Sequence, residues 1–306
     1  MKKKVLITGD TGLLGANLCF LWRDVYDIVG VSRSVLGVHG THHVCLDLSV
    51  PEHVRKLICT EKPDVIVHTA ALVSVEQCEQ NQMMAEQLNT EMVENVAISA
   101  SETGAHLIHI STDAFYQNES GVLSQEHHSL SLNNVYTKTK YQGEIKALEY
   151  HDTLCLRTNF YGSNLKPEKT SFSEWILRDL HDNKRLTMFS DVLFSPIYVN
   201  DLAGIMNQAI KKKLTGIYNA GGNGHISKFD FAAYIKQKFN ISAGEIIRTS
   251  VSDFPFIAWR STNMSMDSQK IKMALSIEIP DIRLGVDHYE AQLSCNYLNL
   301  LRGTNL

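Results

Sequence analysis

The sequence of 306 residues has no apolar run approaching the roughly 20 residues that span a bilayer, no closely spaced cysteine pair and no excess of either charge sign. The first absence excludes an α-helical membrane span. With Lys+Arg 29 against Asp+Glu 33, the net charge is −4, so no polyanionic partner such as nucleic acid is expected. The six cysteines, Cys19, Cys45, Cys59, Cys78, Cys155 and Cys295, are scattered. Most fall in apolar patterns where a reduced thiol packs as a small hydrophobe, which argues against disulfides. The N-terminus runs through three lysines straight into a strand-like segment, so the expected location is the cytoplasm. The thirteen histidines include two groups, His39, His42 and His43, and His127 with His128. Neither repeats at helical spacing or carries a neighbouring Cys or carboxylate set. They read as solvated loop histidines, and no metal is assigned.

A hydrophobic fraction of 44% is enough to bury one large domain, or a domain with a lobe. Short apolar runs alternate with longer amphipathic ones. KVLITG, DIVGVSRS, THHVCLDLS, PDVIVHTAA, HLIHIST and TLCLRTNFYG read as strands. Leu13 to Tyr26, a Pro51-led segment, one long stretch over 81–104 and the segment around Tyr136 read as helices. Continuous strand runs separated by helices predict βαβ units and a parallel sheet covered on both faces. The expected fold is therefore α/β, a Rossmann-type doubly wound parallel sheet, with a smaller mixed α/β C-terminal lobe for substrate. Residues 1–162 are assigned to a dinucleotide-binding core and 163–306 to the lobe, with about 190–222 returning to the core. The stretch FSEWILRDL carries an apolar stripe that suits the lobe core better than an interface.

In VLITGDTGLLGANL, Gly9, Gly12 and Gly15 lie between a strand and a helix. That context makes a glycine-rich loop meaningful: a tight turn, close approach of a pyrophosphate to the backbone, and helix–sheet contact. The spacing is GxxGxxG. Thr11, Leu13 and Leu14 would offer their backbone to the phosphates at the helix N-terminus. The second strand ends in Ser32, Arg33 and Ser34, and a cation there accommodates a 2′-phosphate. NADP(H) is favoured and NAD(H) is the second candidate. Asp47 and Leu48 are candidates for the adenine, and Ala70 and Ala71 for close backbone approach to the adenosine ribose.

Tyr136 and Lys140 stand four apart on a predicted helix and so share one face. An ammonium beside a phenol favours the phenolate, which would move Tyr136 toward working pH as general acid for a carbonyl gaining hydride. Lys140 could also hold the cofactor ribose. The strand HLIHIST ends in Ser111 and Thr112, and a hydroxyl there can steady developing negative charge; Thr112 is preferred.

These segments, ITGDTGLLG, HTAAL, LNTEMVENVA, ISTDAF, YTKTK and LRTNFYG, resemble extended short-chain dehydrogenases/reductases, most of all the dTDP-4-dehydrorhamnose reductase group. SPIYVNDLA and WRSTNMSMDSQKI resemble later motifs of that group. The resemblance implies Thr112, Tyr136 and Lys140 as catalytic residues, and reduction of a keto group on a nucleotide sugar. It also implies Asp113, Ala114, Asn159 and Arg260 as substrate-binding residues. Three departures stand out: Ala114 where the group has a tyrosine, no tryptophan in RTNFYG, and Ser261 in place of a proline after Arg260. Asn89 is expected to pack a helix or position a backbone group. The Thr-Asp-Ala sequence lacks the Glu that would support elimination. Two alternatives are a nucleotide-sugar epimerase or dehydratase, and a non-catalytic NAD(P)-binding regulatory subunit. A homodimer is the assembly considered.

Overall fold

The computed structural model describes residues 2–303 apart from positions 120 and 151. Its first half contains, in order, β1 (Lys4–Thr8), α1 (Leu13–Trp22), β2 (Asp27–Ser32), β3 (His42–Cys45), α2 (Pro51–Glu61) and β4 (Val65–His68). There follow α3 (Val75–Gln80), α4 (Gln82–Glu86), α5 (Met92–Thr103), β5 (His106–Ile110), α6 (Val135–Leu148) and β6 (Thr153–Arg157). A late strand, Gly216–Asn219, completes a seven-stranded sheet beside β6. Every pairing in it is parallel. From the other edge the order is β3, β2, β1, β4, β5, β6 and then the late strand, so the winding reverses between β1 and β4. Ligands bind at such a reversal, outside the carboxyl ends of the strands.

Strand alternation explains the layers. Val5, Ile7, Val65, Val67, Ile108 and Ile110 pack with α1 and α8 (Val199–Lys212), whereas Leu6, Ile66, Leu107 and Cys155 pack with residues of α2, α5 and α6. Each such aliphatic side chain, fully buried, contributes about 1.5–3 kcal/mol. Local signals set the helix ends: Pro51 opens α2, Gly104 closes α5 at φ 72°, and Asn134 caps α6 in a reciprocal box with Thr137. The remaining lobe elements include α7 (Phe172–His181) and α9 (Lys228–Lys238), which pack on one another and on a parallel pair formed by Arg185–Phe189 and Glu245–Thr249. Ile176 and Leu180 of α7 are buried there, so the FSEWILRDL stripe is lobe core.

The structure corrects several sequence expectations. The first helix stops at Trp22, because Val25 and Tyr26 both turn back to the Trp22 carbonyl at 2.9 and 2.8 Å. The long helix over 81–104 runs without interruption from Gln82 to Thr103 after the Asn81 cap, but it is not uniform: a wide π-turn at Gln87–Glu91 joins α4 to α5. His42 and His43 are not loop residues but lie on β3, and His43 is bonded on both ring nitrogens. Only three of the cysteines, Cys19, Cys78 and Cys155, are buried. Among the described residues no helix is long and apolar enough to cross a membrane.

Candidate active site

Gly9 turns the chain at φ 71° and its carbonyl accepts from Gly12 at 2.8 Å. A Cβ on Gly15 would lie 2.3 Å from that carbonyl, so only glycine lets α1 start this close to the loop. Gly12 caps α1 without a side-chain hydrogen bond. The first-turn N–H groups behind Thr11, Leu13 and Leu14 therefore face the sheet's carboxyl edge as an anion cradle. This fits a dinucleotide pyrophosphate. Thr11 donates to Ser32 across the loop at 3.2 Å, joining it to the end of β2. Arg33 is exposed beside it, and Asp47 accepts from the Ser49 N–H at 2.9 Å, which holds its carboxyl below the ordinary value. Leu48 is buried beneath.

Ala70 and Ala71 follow β4, and their backbone is fixed by a hydroxyl. Thr8 Oγ accepts from the N–H groups of Thr69 and Ala70, at 3.1 and 3.2 Å, and lies 2.9 Å from His68 Nδ1. With its acceptor sites engaged, the hydroxyl gives its one proton to the imidazole. The next residues are held by Asn89, whose amide receives the Leu72 N–H at 2.8 Å and donates to the Leu72 carbonyl at 3.0 Å and to Thr139 at 3.3 Å. The π-turn aims Asn89 at Leu72 and Thr90 at the Thr139 carbonyl, tying the segment after β4 to α6. A Cβ on Gly143 would lie 2.0 Å from the Asn89 carbonyl, so this glycine permits the contact.

The YxxxK pair lies on α6 as its spacing requires. Lys140 is buried, and its Nζ donates to the Ile110 carbonyl at the end of β5 at 2.7 Å. Burial pulls it down to about 8, against the opposing pull of Glu144 and Cys155. Tyr136 is buried as well, with the Thr112 hydroxyl near enough to act on its phenol. Burial pushes its phenol up to about 12; the Thr112 hydroxyl lowers it and the nearby Asp113 and Cys78 raise it. The phenol is thus not shifted toward working pH as expected, because loss of solvent dominates and the Lys140 ammonium is turned to the Ile110 carbonyl. Ser111, the alternative to Thr112, is turned away and donates to Glu144 at 2.8 Å. Glu144 in turn pairs with buried Arg157 at 2.5 Å.

Asp113 is buried beside Thr112, with Asn159 donating to its carboxylate at 2.7 Å. Burial raises it to about 6, while Lys228, Asn159 and Thr112 pull it down. Ala114 follows, its N–H donating to Thr112 Oγ at 3.1 Å. Lys228, the first residue of α9, was not singled out from the sequence. Its ammonium lies over the rings of Phe194 and Phe172, at 3.4 and 4.7 Å, and is brought down to about 8 by burial. The only signal for it was the Ser227 cap before α9. Arg260 is engaged elsewhere, paired with Glu76 at 2.7 Å and lying over Phe256.

The whole arrangement has counterparts in known proteins. A family model described as the RmlD substrate binding domain matches residues 2–295. The dTDP-4-dehydrorhamnose reductase of Salmonella typhimurium is 29% identical over 294 residues, covering 92% of this chain and 95% of the relative. The methionine adenosyltransferase 2 subunit beta of Xenopus laevis is also 29% identical, over 298 residues, covering 93% and 86%. The crystal structure of dTDP-4-dehydrorhamnose reductase from Bacillus anthracis in complex with NADP superposes with a TM-score of 0.86 at 26% identity, covering 95% of this chain and all of that one. With the matched region running almost from end to end, the chain belongs to the RmlD substrate-binding-domain family.

Proposed function

We propose that this protein is an NAD(P)H-dependent reductase of a keto group on a nucleotide-activated sugar, like dTDP-4-dehydrorhamnose reductase, with NADP(H) preferred over NAD(H). The reading rests first on the family and on its reductase relatives. The observation that carries the chemistry is the convergence at the end of β5: Lys140 fixed on the Ile110 carbonyl and Tyr136 against Thr112, on one helix face.

The bound nicotinamide supplies the hydride. Residues 1–162 would hold the coenzyme through Gly9, Gly12, Ser32, Arg33, Asp47, Ala70 and Ala71, and residues 163–306 the sugar nucleotide, with about 190–222 returning to the core. Tyr136, kept as a neutral phenol by burial, donates its proton to the sugar oxygen as negative charge gathers there. Thr112 donates to the same oxygen. Lys140, rigidly aimed, orients the nicotinamide ribose and offsets charge on the tyrosine oxygen as the proton leaves. Asp113 and Asn159 border the sugar. Ala114 leaves open the space a larger side chain would take, which suits a sugar other than the rhamnose precursor. Arg260, already bonded to Glu76, would have to exchange that partner to meet a diphosphate. The same reading takes the cytoplasm as location and a homodimer as assembly, the latter tested by light scattering.

The test is oxidation of NADPH and NADH with a panel of 4-keto-6-deoxy nucleotide sugars, beside Tyr136→Phe. Turnover with one sugar, lowered by about 100-fold or more in the variant, is the expected result. Coenzyme binding without turnover across the panel would sink the reductase reading. It would favour the alternative of a non-catalytic NAD(P)-binding subunit, the relative from Xenopus laevis being named as a subunit.

A further inference from the structure

Lys166 lies on the segment that leaves the sheet after β6 and leads to α7. Its Nζ donates to Ser34 Oγ at 2.9 Å, reaching across 132 positions to the loop after β2. Ser32 on the same loop receives the Thr11 hydroxyl at 3.2 Å and the Ser34 N–H at 3.4 Å. Three hydroxyls, one guanidinium (Arg33) and one ammonium thus gather at the end of β2, from three separate parts of the chain. His43 fixes this loop from beneath: its Nε2 lies 2.9 Å from the Ser34 carbonyl and its Nδ1 2.6 Å from Asp10 in the glycine loop.

The charges are unbalanced. Neither Arg33 nor Lys166 forms an ion pair among the described residues. The nearby acids are already engaged, Asp10 with His43 and Asp47 with the Ser49 N–H, although Arg33 does act on Asp47 through space. A half-buried ammonium bonded only to a neutral hydroxyl is poorly compensated, and a phosphate monoester offers what it lacks: three acceptor oxygens and up to two negative charges. The Lys166 segment is also held against the coenzyme cradle, since Asn17 of α1 donates to the Ser163 carbonyl at 3.0 Å and Arg302 to the Asn164 carbonyl at 3.2 Å.

We infer that Lys166 is the second cation of a 2′-phosphate subsite, closing on the adenosine ribose from the lobe side opposite Arg33 and setting the preference for NADPH over NADH. The inference rests on the coenzyme reading above. It assigns the choice of coenzyme partly to the lobe, not to the β2 loop alone.

The experiment is calorimetric titration with adenosine 2′,5′-bisphosphate and with adenosine 5′-phosphate, repeated with NADPH and NADH, on wild type, Lys166→Met and Lys166→Arg. Lys166→Met should weaken the 2′-phosphorylated ligands about 10-fold or more and leave the others within about twofold, while Lys166→Arg keeps the preference. Equal weakening of both ligand classes, or of neither, overturns the inference while the coenzyme reading stands. If the folded wild type binds none of the four, both fall together.

Discussion

Asn159, two residues past β6, donates to the Asp113 carboxylate at 2.7 Å and so ties the exit of β6 to the exit of β5, where Thr112 lies. The bond holds an acid at the rim of the proposed sugar site. Burial lifts that acid to about 6. An ionised Asp113 accepts a hydrogen bond from a sugar hydroxyl and a neutral one does so less well, so KM for the sugar should rise as pH falls below about 6. In Asp113→Asn that dependence should disappear while coenzyme affinity stays constant. Steady-state pH profiles with coenzyme saturating, for both proteins, check this; an unchanged profile in the variant removes Asp113 from the site.

His68 and His109 face each other across β4 and β5 with rings stacked 5.7 Å apart, both buried. Burial, reinforced by Lys140, brings His68 down to about 3 and His109 well below its ordinary value. Both are therefore neutral in the fold and take up protons near pH 6.5 once unfolded. Below pH 6.5 the unfolded chain binds more protons, so stability falls with falling pH, by about 1.4 kcal/mol per unit for each ring. Neither nitrogen of His109 has a partner, so His109→Phe should cost no stability at neutral pH and should remove that ring's share of the slope. Urea midpoints between pH 7 and 5 measure both effects.

Gly143→Ala places a methyl group 2.0 Å from the Asn89 carbonyl, a backbone atom that cannot turn aside. The helix must separate from the π-turn, at a cost of about 3 kcal/mol. Chemical denaturation at constant m-value gives the number, and coenzyme affinity should fall as well, because Asn89 loses its hold on Leu72.

Arg157 and Glu144 are both fully buried, the guanidinium also donating to Tyr116 at 2.8 Å. Removing one partner leaves the other as an uncompensated internal charge, and Glu144→Gln or Arg157→Met should each destabilise by about 3–5 kcal/mol. A double variant replacing both groups with apolar side chains should recover part of that loss, which a double-mutant cycle on unfolding free energies would register.

The sheet was legible because most of its strands are short continuous apolar runs, and α1, α2, α5 and α6 are set off by glycine, proline or an asparagine cap. Gly15 and the four-residue spacing of Tyr136 and Lys140 carry their geometry in the sequence itself. What could not be read are the meetings of distant segments. Lys228 comes within electrostatic range of Asp113, and Lys166 reaches Ser34, only because the lobe folds back, and a lone lysine in sequence looks like a solvated one. His43 looked like a member of a histidine-rich loop until its strand brought it to Asp10. The direction of the Tyr136 shift was missed for a related reason: helical spacing gives proximity to Lys140 but says nothing about loss of solvent.

The strand Gly216–Asn219 pairs with β6 although the whole α7–α8 region separates them in the chain. While the protein is being synthesised, β6 must therefore wait with one row of amides and carbonyls unpaired until residue 219 has emerged. A gene fragment ending at residue 162 would make that waiting state permanent, presenting a bare edge ready to pair with a second copy. The half proposed to bind coenzyme, residues 1–162, is thus not expected to be a portable module that could be transplanted on its own.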